Sequence, residues 1–363
     1  MSPCLVLDVK LQDLEPITHM LTGACMSRAG LNRKTGLATA TLVLAAEVSD
    51  IDVLYAFRGP VSALQHHRGW THSFAGAPVM AALTVVVVWA WNRLFRKRRL
   101  QANAPVAMGP KYLPVRWGVL YAIALLGPLS HILLDYTTAY GIRIFEPFSY
   151  KWYEWSIVSI IEPFMLAVLI LGLILPSLFR LIHEEIGAPR ALFPGRAGAI
   201  VALAAVVLMW GVRDFYHRRA VSALVARTYH SEDSLRASAY PYPWNPFLWH
   251  GVVETKDFYE TLLVDSRRGE IDPQGRARTY YKPEETAVLE AAKKSYLGRV
   301  YLDWAAYPLV TATPVEEGDA AYRVRFIDLR YAYPGRTTPL GGTVELNRNL
   351  EVIAQRFGRR VQK

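Results

Sequence analysis

Residues 74–95 read FAGAPVMAALTVVVVWAWNRLF and are followed at once by Arg96, Lys97, Arg98 and Arg99. Roughly twenty apolar residues in an α-helix cross the hydrocarbon core of a bilayer. A dense run of Lys and Arg directly behind such a stretch marks a cytoplasmic loop. Working outward, residues 115–134, 157–179 and 197–212 form three further apolar stretches of spanning or near-spanning length. The 197–212 stretch is short and the 157–179 stretch contains Glu162, so both are weaker copies of the first. Upstream, residues 17–29 and 37–48 form two helical patterns joined by a Gly-rich turn with Arg28, Arg33 and Lys34. At about 1.5 Å per residue they cross only part of a bilayer, and they read as a partly inserted hairpin packed on the spanning helices.

Charge sets the expected orientation. Arg93, the 96–99 run, Lys111 and Arg116 place the loop between the first two long stretches in the cytoplasm, and Arg180, Arg190 and Arg196 agree more weakly. Alternation then puts His72, Asp135 and everything after Asp214 on the non-cytoplasmic face. The chain has 363 residues, 52% hydrophobic and 20% charged, with a formal net charge of +10. The apolar excess lies before residue 213. The positive charge follows apolar stretches, so membrane topology explains it and a nucleic-acid partner is not expected. Cys4 and Cys25 lack a CxxC spacing, which argues against a disulfide framework or thiolate metal site. Asp8, Lys10, Asp13 and Glu15 interrupt the first residues, so no signal peptide is expected there.

After Asp214 the composition changes. Pro241, Pro243 and Pro246 with Trp244 and Trp249 read as an irregular aromatic connector. Period-two patterns at 322–331 and 342–354, bounded by Pro334-Gly335 and Gly341-Gly342, read as strands. Residues 284–297 read as a surface helix. The expected fold is mainly α: a multi-pass helical membrane domain over 1–213, followed by a small α+β extramembrane domain over 214–363.

Four polar clusters stand out in the membrane half: Thr18-His19, Asp50-Ile51-Asp52, the run from His66 through His67, Arg68 and His72 to Ser73, and His131 with Asp135. Each lies at the end of an apolar segment, and the topology puts those ends on one face, where Glu162 joins them. An ionisable group in or near a bilayer is costly unless paired, hydrated or metal-bound. Neutral imidazole with carboxylate suits Zn, Mn or Fe. A spacing of four puts His131 and Asp135 on one helix face. Taken singly, each cluster has a plainer reading: an interfacial His, a hydrogen-bonded His-Asp pair, turn carboxylates, or Arg68 and Trp70 as headgroup and interface anchors. Which of His66 and His67 faces inward stays open.

The series Ile17-Thr18-His19-Met20-Leu21-Thr22-Gly23, Asp50-Ile51-Asp52, His67-Arg68-Gly69-Trp70-Thr71-His72-Ser73 and His131-Ile132-Leu133-Leu134-Asp135-Tyr136-Thr137 resembles the LexA-regulated, membrane-bound, metal-dependent hydrolases. The match runs in order from about His19 to Pro163. It implies an α-helical hydrolase core with His19, Asp50, Asp52, His67, His72, His131 and Asp135 at the site. Ser49 stands where that family commonly has Pro, and Glu162-Pro163 where it often has Asp-Pro. The segment Asn245-Pro246-Phe247-Leu248-Trp249 looks like the C-terminal extension of its longer members. The combined expectation is an integral protein of the bacterial inner membrane that hydrolyses a lipid or lipid-linked phosphoester at the non-cytoplasmic face. Its divalent metal is held by His19, Asp50, Asp52, His72, His131 and Asp135, with His67, Arg68 and Glu162 as catalytic groups. The alternatives are a non-enzymatic membrane scaffold and a proton or metal transporter.

Overall fold

The computed structural model describes residues 15–99, 113–185, 195–334, 340–358 and 360–362. Cys4, Asp8, Lys10, Asp13, Lys111, Arg190 and Gly335 lie outside them. The chain forms two compact units, Met1–Ile51 with Arg68–Val212, and Asp52–His67 with Arg213–Lys363. The segment Asp52–His67 therefore packs with the C-terminal residues rather than with its sequence neighbours.

The first unit is helical. Helix α1 spans Glu15–Arg28 and α2 spans Ala38–Ala45. Helix α4, Ala77–Arg99, follows the short α3 of the other unit, Pro60–His66. After it come α5 over Trp117–Tyr136, α6 over Pro163–Glu185 and α7 over Arg196–Val225, which carries the chain into the second unit. Among the described residues three helical segments are long and apolar enough to cross a membrane: Ala77–Phe95, Trp117–Tyr136 and Arg196–Val225. Their surfaces fit that solvent: Val86, Val87, Trp91, Val207 and Leu208 are exposed, a face that would be unfavourable in water.

The third expected span is corrected at its start. Residues 157–162 are not helical, and the apolar helix Pro163–Phe179 is the shorter piece that remains. Pro163 is the cause, because a proline disfavours the α conformation in the residue before it. The Ile157 and Val158 amides instead donate to the Thr137 carbonyl, at 3.0 and 3.2 Å. The hairpin α1–α2 packs on α5 through small residues. A Cβ on Gly23 would stand 2.7 Å from the Leu42 carbonyl oxygen, and one on Gly127 of α5 only 2.4 Å from the Ala45 Cβ. Both glycines are there for close backbone approach.

The second unit holds two antiparallel sheets. In the first, β1 (Arg236–Pro241), β2 (Leu248–Glu254), β3 (Phe258–Asp265) and β4 (Glu270–Ile271) pair in order, and β5 (Arg278–Tyr281) pairs with β3. In the second, β6 (Pro308–Glu317), β7 (Ala320–Asp328), β8 (Gly342–Leu346), β9 (Val352–Phe357) and β10 (Arg360–Gln362) form a meander. Ala220 and Leu224 of α7 bury against Trp249, Leu262 and Val264 of the first sheet. The segment 52–67 is tied in by the Tyr296 hydroxyl, which meets Gln65 Oε1 at 2.7 Å.

Three expectations for this unit are corrected. The aromatic connector at 241–249 is flanked by strands: β1 ends on Pro241, and Trp249, Val252 and Val253 of β2 are fully buried. Residues 284–297 form two helices, α8 (Ala287–Lys294) and α9 (Tyr296–Trp304), because Ser295 is extended and its hydroxyl caps the Gly298 amide. A cap of this kind contributes about 1 kcal/mol. Residues 342–354 form two strands, since Leu350 turns at φ 63° and Asn347 Oδ1 accepts from the Asn349 and Glu351 amides.

His250 of β2 is buried, donates from Nε2 to the Leu329 carbonyl at 2.9 Å, and stacks on Tyr333. Burial pushes its pKa down to about 4, so it is neutral in the fold but protonates near 6.5 in an unfolded chain. Between those pH values the unfolded state binds the extra proton, and stability falls as pH falls. The second unit should lose on the order of 3 kcal/mol on acidification from about pH 6.5 to 4. Amide hydrogen exchange in β2 and β3 measures this, and His250→Gln should flatten the dependence in that window.

Candidate metal centre

Local sequence explains how each polar side chain is presented. Pro16 suits the first turn of α1, and His19 follows one turn later, buried. Helix α2 stops at Ala45, and the chain continues as a 3-10 stretch, Val48–Arg58, that carries Asp50. His72 ends the 3-10 turn Trp70–His72 ahead of α4, where the Ser73 hydroxyl accepts the Gly76 amide at 2.9 Å. His131 and Asp135 occupy the last turns of α5.

The Gly127–Ala45 approach brings the end of α2 against α5, so that His131 Nδ1 lies 2.6 Å from the Ala46 carbonyl oxygen. A carbonyl only accepts, so that nitrogen carries the proton and the Nε2 lone pair points inward. His72 is held on its Nδ1 side by the Thr71 hydroxyl at 2.9 Å and likewise turns Nε2 inward. The two Nε2 atoms face each other at 3.1 Å. Asp50 Oδ1 is 3.3 Å from His72 Nε2 and 3.5 Å from His131 Nε2. Asp135 Oδ2 is 3.4 and 3.3 Å from the same two nitrogens.

These separations match a metal coordination sphere. Bonds of about 2.0–2.1 Å to a tetrahedral ion put neighbouring ligand atoms roughly 3.3 Å apart. Asp135 Oδ2 is buried without a hydrogen-bond partner, as is His19 Nδ1. Asp135 Oδ1 is occupied: Arg68 Nη2 reaches it at 2.9 Å, and His19 Nε2 lies 3.5 Å away. Arg68 also donates to Thr138 Oγ1 at 2.9 Å, and that hydroxyl donates to the Asp135 carbonyl. Two groups of side chains thus come close enough to share an ion, His19 with His131 and Asp135, and Asp50 with His72 and His131.

Electrostatics set two carboxylates apart. Burial alone would raise the Asp50 carboxyl, but the His131 and His72 imidazoles beside it outweigh that and hold the group below the usual range. Its side chain is 33% exposed while His72 and His131 are sealed, which makes Asp50 the open side. Glu47, not singled out in the sequence, is pushed up to about 8 by burial and then by the charge of Asp50. Only its spacing of three before Asp50 hinted at it.

Three other expected residues are in neither of these two groups. Asp52 and His67 belong to the second unit and pair with each other, Nδ1 to Oδ2 at 3.2 Å. Glu162 is buried at the start of α6, where Ser159 Oγ reaches its carboxylate at 3.5 Å, and it is in neither group. A narrow crevice of about 10 Å³ lies beside the centre, lined by His19, Asp135, Thr18, Ser159 and Met165 among others.

Helices fit to cross a bilayer, with buried imidazoles and carboxylates at their ends able to hold a metal ion, define an integral membrane protein with a helical His/Asp centre. Residues 14–221 match the model of the YdjM inner membrane protein family, and the chain belongs to that family. Residues 287–363 match the YfhP C-terminal alpha/beta plait domain, which covers α8, α9 and the second sheet. The chain is similar to the uncharacterized protein YfhP of Bacillus subtilis (strain 168), 22% identical over 316 residues, covering 86% of this chain and 82% of the relative. No solved structure matches.

Because the Ala46–His131 bond depends on the α2–α5 approach, Gly127→Val should force the helices apart. We expect a loss of about 1–3 kcal/mol in thermal unfolding in detergent. Gly118→Val, on the same helix with no atom within 4 Å of the added Cβ, should leave stability nearly unchanged.

Proposed function

We propose that this chain is a metal-dependent hydrolase of the inner membrane that acts on a lipid or lipid-linked phosphoester at the non-cytoplasmic face. The observation that carries this reading is the pair of imidazole Nε2 atoms 3.1 Å apart, flanked by carboxylate oxygens, one of them buried without a hydrogen bond. His72, His131, Asp50 and Asp135 are the proposed ligands, with His19 on the far side of Asp135. A divalent ion such as Zn, Mn or Fe, when bound, polarises a phosphoryl oxygen and acidifies water.

The protein's own groups do the rest. Ala46 and Thr71 hold the two imidazoles in place, and Arg68 binds one oxygen of Asp135 so that the other points inward. Arg68 is thus assigned a positioning role. Asp52 holds Nδ1 of His67, the arrangement by which a carboxylate orients an imidazole for proton transfer. Threonine and serine hydroxyls and apolar side chains line the crevice beside the centre, the mix that a polar head and an apolar body would meet there. The membrane fits too, because a lipid substrate reaches a site at the end of spanning helices without leaving the bilayer.

Metal analysis of purified protein beside release of products from a panel of phospholipids and lipid-linked phosphates tests the proposal. Wild type should carry stoichiometric divalent metal, and His131→Ala and Asp50→Ala should lose it together with hydrolysis. Unchanged metal content in both variants would sink the ligand assignment. The orientation is tested by a cysteine in the second unit, Gln274→Cys, in a Cys4→Ser, Cys25→Ser background. A membrane-impermeant thiol reagent should label it from the non-cytoplasmic side of intact spheroplasts, and protection until lysis would reverse the topology.

A further inference from the structure

The segment joining α5 to α6 is ordered by hydrogen bonds, yet it holds aromatic rings in the open. Ile142 and Tyr153 pair as an antiparallel bridge at the neck of the loop. At its tip the Phe148 and Ser149 amides both donate to the Phe145 carbonyl, at 2.8 and 3.1 Å. That tight turn leaves Phe148 88% and Tyr150 60% exposed. A fixed backbone that presents a nearly bare phenyl ring to water gains nothing from it, so the ring points to an apolar partner.

The place of the loop in the fold says which partner. It leaves α5 directly after Tyr136, the last residue of one candidate span. It is bonded to the chain just ahead of another: the Arg143 amide donates to the Arg68 carbonyl, and the Phe74 amide to the Ile144 carbonyl, each at 3.0 Å. The Phe74 and Phe145 rings meet at 5.8 Å, and Trp70, Phe74 and Leu133 are exposed beside them. The loop is therefore continuous with the exposed apolar surface of two spanning helices at the level where they end. Lys151, over the Tyr153 ring at 5.6 Å, and Arg143, over Trp152 at 4.5 Å, complete the mix of aromatic and cationic groups that settles at a membrane interface.

We propose that the turn at Phe145–Tyr150 is a membrane-inserting loop, with Phe148 and Tyr150 seated in the acyl-chain border of the leaflet where α5 ends. This rests on the membrane-spanning helices and not on hydrolysis. Since the loop begins at Thr137 and Thr138, and the Thr138 hydroxyl holds Arg68, it fastens the His/Asp centre at headgroup depth.

Nitroxide labels at Phe148→Cys and Tyr150→Cys, in the full chain with Cys4→Ser and Cys25→Ser and reconstituted in phosphatidylethanolamine–phosphatidylglycerol nanodiscs, test the loop. Collisions with oxygen should exceed those with an aqueous nickel chelate several-fold at both positions, with the opposite order at Gln274→Cys, an exposed turn of the second unit. Nickel accessibility at 148 and 150 equal to that at 274 would show the loop in water and overturn the proposal. Low accessibility to both reagents would show a protein surface over it, such as a second copy, and would overturn it equally. Neither readout depends on activity, so a failed loop leaves the hydrolytic reading standing and the reverse also holds.

Discussion

The hydrogen bond from His131 Nδ1 to the Ala46 carbonyl is the contact on which the centre depends. It fixes the tautomer, turns the other nitrogen inward and anchors an imidazole that would otherwise rotate about its side-chain torsions. The Ala46 carbonyl is available because α2 ends at Ala45, so the last carbonyls of that helix lack partners within it. It is within reach because Gly127 lacks a Cβ. A helix end, a glycine and a buried histidine thus form one device, and the packing of the hairpin against α5 and the chemistry of the centre cannot be separated.

Arg68 shows how the fold tolerates so much charge beside a bilayer. Its backbone lies in the left-handed region at φ 53°, a conformation that side-chain-bearing residues adopt only when the surroundings impose it. What it gains is a buried ion pair to Asp135, a hydrogen bond to Thr138 and a position over the Tyr140 ring at 5.0 Å. Removing one partner of such a pair leaves an uncompensated buried charge, which costs more than the pair contributes. The HRGxTHS run reads accordingly: Arg68 for Asp135, Thr71 to hold the ring, His72 facing inward, and Ser73 to cap α4.

How much of this was legible in the sequence follows from where the signals lie. Polar residues at the ends of long apolar runs are conspicuous, because a bilayer makes them costly, and His19, Asp50, His72, His131 and Asp135 stood out for that reason. Glu47 did not, since a glutamate after a short helix looks like ordinary surface. Asp52 was read together with Asp50 on spacing alone, but in a 3-10 stretch residues two apart point in different directions, and Asp52 meets His67 instead. In the second unit, alternation revealed β7, β8 and the start of β9. It missed β2 and β3, whose Leu248–Glu254 and Phe258–Asp265 are buried almost throughout and so lack a period of two. Ser295 and Asn347, which divide the expected helix and strand, act through single hydroxyl and amide contacts that apolar periodicity cannot register.

The proposed metal has one competitor for the same space, a proton shared by His72 and His131. A proton would join the two Nε2 atoms in a single N–H···N contact and relieve the repulsion of their lone pairs. Either nitrogen so protonated would also pair with Asp135 Oδ2, 3.4 Å from His72 and 3.3 Å from His131, the oxygen that otherwise lacks a donor. Arg68 is already committed to the other oxygen of that group. A single proton serves one such contact at a time, whereas a divalent ion serves several, and the groups close enough to share one are Asp50 with His72 and His131, and His19 with His131 and Asp135. Under the proposed reading, then, the arrangement is built for a cation with several open valences, and the number of donors facing one another is the feature that separates the two.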